Sequence, residues 1–183
     1  MNEHKISTKQ KKLSGFENTK IYGIGCSVES ARLRRVIRLV LKQIRRRAPE
    51  DFKRIRSRVN EIAPLSDDSA AVGRFEGSGG DFETQGIVRI SESDISSIAT
   101  LAHEFGHACT RQEEYHRRMM DYDDKQLISE LCATFYAYKW GFGRLVRRHP
   151  GIFEYPPGST FEMGPSGDVR RYRVTRGFRI HEM

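Results

Sequence analysis

No stretch of this 183-residue chain approaches the roughly 18 consecutive apolar residues of a membrane-spanning helix, and charged residues make up 31% of it. Residues 1–20 are polar and basic, without the apolar stretch that a secretory signal needs after its positive residues. They read as a mobile basic tail. Cysteine is scarce as well: Cys26, Cys109 and Cys132 are widely spaced and form no CxxC pair, which argues against a disulfide framework or a cysteine metal site and points to a reducing cytoplasm. Cys109 and Cys132 fall in apolar helical segments and read as buried structural thiols. The glycine-rich run Gly77-Ser78-Gly79-Gly80-Asp81 lacks the Lys-Ser/Thr that completes a phosphate-cradling loop. It is hairpin-turn chemistry instead. No internal repeat is present. The length suits one domain, over residues 21–150, with a Pro/Gly-rich extension over 151–183 packed on it.

The charge that is there is unevenly placed. Residues 31–58 hold twelve Arg or Lys against Glu50 and Asp51, a net of +10 in a chain whose total is +8. Within that span Leu33, Val36, Ile37, Val40, Leu41 and Ile44 recur at helical spacing, which predicts an amphipathic helix after a Ser30 cap. Its other face carries Arg32, Arg34, Arg35, Arg38, Lys42 and Arg45. The Arg-rich helix 31–47 is thus a candidate surface for nucleic acid or an acidic protein, beside the plainer reading of a solvated face. Arg170, Arg171, Arg173, Arg176 and Arg179, with Tyr172 and Phe178 between them, make a second basic patch. Pro49 is placed to open a second short helix through about residue 58. Residues 21–24, 70–76 and 86–91 read as strands, the latter two pairing as an antiparallel hairpin.

The segment with the most legible chemistry is His103-Glu104-Phe105-Gly106-His107. Ile98, Leu101, Ala102, Phe105, Ala108 and Cys109 mark it as helical, capped by Ser93 or Asp94, and on a helix the side chains at i and i+4 stand one above the other. His103 and His107 can therefore close on one metal, with Glu104 beside them to take a proton from water. Catalytic zinc usually takes three protein ligands and leaves a fourth position open. Glu113 occupies the third-ligand position of HExxHxxGxxH, but Thr110 stands where the turn glycine belongs. His116 and His149 would need to be brought in by the fold, and a lone His in a basic loop is more often solvated. Glu130 is the better candidate. It lies on a helix over about residues 126–140, ended by Gly141 and Gly143, on a face shared with Ala133, Thr134 and Ala137. Small neighbours let two helices approach closely, while Leu131, Phe135, Tyr138 and Phe142 pack elsewhere.

From residue 86 to 142 this order of strand, HExxH helix, connection and glutamate helix resembles the gluzincin clan of zinc metallopeptidases, and its scale is similar to the ImmA/IrrE-type regulatory peptidases. The resemblance implies a compact zincin-like domain within the α+β class: a small antiparallel sheet packed against the HExxH helix and the glutamate-bearing helix. It also implies Zn2+ held by His103, His107 and Glu130, with Glu104 as general base in an endopeptidase acting on a peptide or protein. Residues 86–91 would be the strand along which the substrate lies. Thr134 departs from the pattern, since several clan members have Asp there to orient a ligand His. Tyr122, Tyr136, Tyr138, His116 and His149 are candidates for stabilising the oxyanion. The rival reading is a catalytically idle or regulatory zinc module that binds nucleic acid or an acidic partner through its basic surface.

Overall fold

The apolar stripe of the first long helix, α1 (Ala31–Arg47), turns inward as its spacing requires: Leu33, Ile37, Val40, Leu41 and Ile44 are buried. Ser30 caps it, its hydroxyl accepting from the Leu33 N–H at 3.2 Å, and the Glu92 carboxylate accepts from the Glu29 and Ser30 N–H groups. Ala48 ends α1, and Pro49 opens α2 (Pro49–Arg58) where its missing N–H costs nothing. The computed structural model describes residues 19–65, 72–77, 85–92, 97–110, 122–149, 152, 157–163, 170–177 and 179–183. Residues 93–96, including the expected caps Ser93 and Asp94, lie outside them, as do Glu113 and His116.

The main sheet has five strands: β1 (Thr19–Ile21), β2 (Ile24–Cys26), β3 (Val59–Pro64), β4 (Gly73–Glu76) and β5 (Gly86–Ile90). Their order is β1-β2-β3-β5-β4. β4 and β5 form the expected antiparallel hairpin partners, but β2–β3 and β3–β5 are parallel, so the sheet is mixed and not antiparallel. The cause is β3, which the sequence reading passed over. Asn60, Glu61 and Pro64 are poor strand formers, yet Val59 and Ile62 are fully buried and the strand lies at the centre of the sheet. The α1–α2 pair is the crossover that parallel pairing of β2 and β3 demands. A second, antiparallel sheet joins β6 (Thr160–Met163), β7 (Arg170–Val174) and β8 (Ile180–Glu182), within the Pro/Gly-rich extension. Val174 ties it to the main core.

Behind the main sheet lie α3 (Ser97–Cys109), α4 (Tyr122–Lys139) and a short α5 (Gly143–Val146). Among the described residues, five helices and two small sheets make the class α+β. α3 packs along α4, and Gly106 sets how closely. A methyl group there would lie 2.8 Å from the Ala133 Cα and collide with the Ala133 carbonyl. Gly141, at positive φ, closes α4 with the Phe142 N–H on the Ala137 carbonyl. All three cysteines are buried and outside any disulfide, as expected for Cys109 and Cys132. No helix among the described residues is long and apolar enough to cross a membrane.

Candidate metal centre

His103 and His107 project from α3 and Glu130 meets them from α4. The Nε2 atoms of the two histidines are 3.1 Å apart. Glu130 Oε2 is 2.8 Å from His103 Nε2, and Oε1 is 3.4 Å from His107 Nε2. Among the described residues this is the one group of three or more His, Cys, Asp or Glu able to hold a metal ion. Ligands at about 2.0–2.2 Å from a tetrahedral zinc stand roughly 3.3 Å from one another, so the triangle fits. Its chemistry fits too: three lone-pair atoms converge, and a cation or shared protons must lie between them for the arrangement to be favourable.

The opposite ring nitrogens are also engaged. Thr134 Oγ1 lies 3.4 Å from His103 Nδ1, and Ser129 Oγ 3.3 Å from His107 Nδ1. With each Nδ1–H donated to its hydroxyl, Nε2 is left with the lone pair that faces the centre. Thr134 therefore occupies the ring-orienting place despite not being an acid. Ser129 was missed because one serine beside a glutamate carries no signal of its own; it is found only from the way α4 turns against α3.

Burial shapes the charges here. Burial by itself would raise the Glu130 carboxyl, but when the imidazoles carry protons on Nε2 the hydrogen bonds from His103 and His107 hold it well below the usual carboxylate range. For His107 burial pulls the other way, and the hydrogen bond it donates to Glu130, with the Glu104 and Glu130 charges, leaves its pKa raised. Glu104 is 7% exposed and outside the triangle. Burial pushes its carboxyl up, helped by the Glu130 charge and against the pull of His107, His103 and a hydrogen bond from the Phe75 backbone N–H. A carboxylate made more basic in this way is suited to accept a proton.

The strand beside Glu104 differs from the expected one. β5 has both edges taken, by β3 and β4, so no peptide can pair with it. β4 is the edge strand, and it runs against α3. A methyl group on Gly73 would collide with Thr100 and lie 3.2 Å from Glu104 Cγ. The hairpin inverted the expectation because a run of apolar residues identifies a strand but not its place in the sheet.

His149 is not solvated and not in the triangle. It is buried against α3, with Nε2 3.1 Å from Thr100 Oγ1 and Nδ1 without a partner. Tyr136 packs against Phe135 and Trp140, and burial raises its pKa, so its hydroxyl stays protonated. Tyr138 is a core ring. The side chain of Tyr122 and residues 111–121 lie outside the described structure.

On the far side of α3 a different polar cluster closes the helix ends. Asp51, 3% exposed, accepts from Trp140 Nε1 at 2.9 Å and pairs with Lys139 at 2.8 Å. The Arg58 guanidinium donates to the Ala108 and Thr110 carbonyls at the end of α3. These contacts hold α2 to the two helices that carry the centre. Against this geometry, comparison of the chain with protein-family models, with curated proteins and with solved structures gives no match.

Proposed function

We propose that this protein is a zinc-dependent endopeptidase organised like the gluzincin clan, with His103, His107 and Glu130 as ligands and Glu104 as general base. The observation that carries the reading is the meeting of the His/His/Glu triangle, a buried basic carboxylate and an edge strand at one place on α3. Zn2+ held there supplies a Lewis acid that polarises a scissile carbonyl and makes water easier to deprotonate. Glu104 accepts the proton of the attacking water and passes it to the leaving amine. Thr134 and Ser129 keep the two imidazoles in the ligating tautomer.

The outer edge of β4 has no strand paired to it among the described residues, so an extended peptide can add its backbone there. Strand addition binds a stretch of main chain without needing a free terminus, which is why the reading is endopeptidase. Gly73 and Phe75 place the register: a side chain on Gly73 would run into Glu104, and the Phe75 backbone hydrogen-bonds to its carboxylate, so the scissile bond belongs opposite this stretch of β4.

The test is Glu104→Gln in the zinc-loaded protein, assayed on a denatured protein substrate with metal content measured in parallel. Cleavage is expected to fall by about 10²–10⁴-fold while zinc stays near one per chain. Unchanged cleavage, or no cleavage by the zinc-loaded wild type on any unfolded substrate, overturns the proposal.

A further inference from the structure

Away from the His/His/Glu centre, we propose that the hollow between α5 and the turn joining β7 to β8 binds a compact anion bearing two or more phosphate groups. A cavity of about 600 Å³ is lined there by Arg144, Arg147, Arg148 and Arg176. A second, of about 380 Å³, shares Arg144 and adds Arg179 and His181. No acidic residue is among the described residues that line either one.

The arrangement is built by local structure. Arg144, Arg147 and Arg148 stand at i, i+3 and i+4 on α5 and the turn after it, and so share a side, while fully buried Val146 anchors the opposite side in the core. Across the hollow the β7–β8 turn is closed by the Thr175 N–H and hydroxyl, both donating to the Arg179 carbonyl, at 2.9 and 3.3 Å. That closure places Arg176 at the larger cavity and Arg179 at the smaller one, with Arg144 common to both. Cations gathered around a concave surface repel one another and focus a positive potential outward. An anion relieves the repulsion.

The donor type selects the anion. Guanidinium forks match the paired oxygens of phosphate, and several forks around one hollow match several phosphates better than a single carboxylate. The volumes fall in the range of small-ligand pockets, roughly 300–1,000 Å³, and not of an extended groove. No Phe, Tyr or Trp ring lines them among the described residues. Tyr172, the nearby ring of this patch, is committed to an edge-to-face contact with Phe135 at 4.9 Å. Single-stranded nucleic acid is held by stacking its bases on such rings, so the observations favour a phosphate cluster over a polynucleotide. The α1 arginines differ in kind, standing in a row on a convex helix face.

The experiment is isothermal titration calorimetry of the full, zinc-loaded chain with sodium tripolyphosphate, at constant ionic strength so that general screening is held fixed. Saturable binding is expected. Arg148→Ala with Arg176→Ala should weaken it by about tenfold or more, whereas Arg35→Ala with Arg38→Ala, which removes the same charge from α1, should leave it within about twofold. Both pairs are exposed, and circular dichroism of each double variant checks that it folds. ATP separates the sources: equal affinity for ATP and tripolyphosphate assigns the site to phosphates alone, and tighter ATP adds a nucleoside, either of which supports the proposal. It is overturned by equal loss in the two double variants, by tripolyphosphate binding no tighter than sulfate, or by an oligonucleotide binding where tripolyphosphate does not.

Discussion

Asp51 and Glu130 are both carboxylates drawn into the same helix pair, yet they meet opposite company. Asp51 lies where α3 and α4 end, and the protein completes it with Lys139 and the Trp140 N–H, with Arg54 at 3.8 Å. Glu130 lies mid-helix and meets two imidazole nitrogens. Lys139 brings Asp51 a fixed positive charge, whereas imidazoles in the ligating tautomer bring lone pairs. A carboxylate balanced from within is a structural tie. One that converges with two further acceptors calls for a cation from outside, and this is what marks the second site as the candidate metal centre.

Substitutions can break that contrast, and the largest effect is expected at the unbalanced site. Glu130→Ala should lower zinc affinity by more than the roughly 10–100-fold that an outer partner of a ligand is worth, measured by competition with a chromophoric chelator. The melting temperature without metal should change little, because removing a half-exposed acid leaves no buried charge behind. Zinc binding that survives Glu130→Ala would remove this residue from the centre. Asp51→Ala should do the reverse. Loss of the acid strands the buried Trp140 N–H and part of the Lys139 charge, at a cost of about 3 kcal/mol in chemical denaturation, with zinc affinity retained. If both quantities fall together, the two clusters are one network and the contrast fails.

Thr134→Val keeps the shape of the side chain and deletes its hydroxyl, so His103 loses its orienting partner. Zinc affinity is expected to fall by about tenfold with little loss of stability, and Thr134→Ser should restore it.

The smallest effect belongs to the hairpin beside the site. The hydrogen bond from Arg89 to Glu76, outweighing burial and aided by Arg74, holds the Glu76 carboxyl below its ordinary range. Since the folded pKa is the lower one, the stabilisation is present above the ordinary carboxylate pKa and is lost as pH falls through the lowered value. For so exposed a pair it amounts to under about 1 kcal/mol. Glu76→Gln should therefore flatten the acid limb of the stability curve slightly, and a wild-type limb of the same slope would rule the pair out as a contributor.

Much of this was legible one residue at a time. The stripe of α1, its Ser30 cap, Pro49 at the start of α2 and the HExxH spacing are all short-range patterns, governed by helix geometry and by backbone groups at helix ends. Glu130 was legible for a related reason: Ala133, Thr134 and Ala137 on its face announced a close helix contact, and Gly106 proves to be the other half of it. Less could be seen where a residue's role depends on a distant neighbour. Asp51 reads as an ordinary first-turn acid on α2 until Trp140, 89 residues on, donates to it. His149 reads as one more polar residue in a basic segment, and is instead buried against Thr100.

The division follows from the range of the forces involved. Periodicity, capping and i to i+4 spacing act within a turn or two of chain, so the helices and the His pair with its Glu104 were settled by local sequence. Strand order and the packing of one element on another act between segments tens of residues apart. They decided that β3 lies at the centre, that β4 and not β5 offers an open edge to Glu104, that Thr134 and Ser129 meet the imidazoles, and that arginines from α5 and the β7–β8 turn share one hollow. Each of these rests on burying apolar surface between elements, a quantity that no single segment carries by itself.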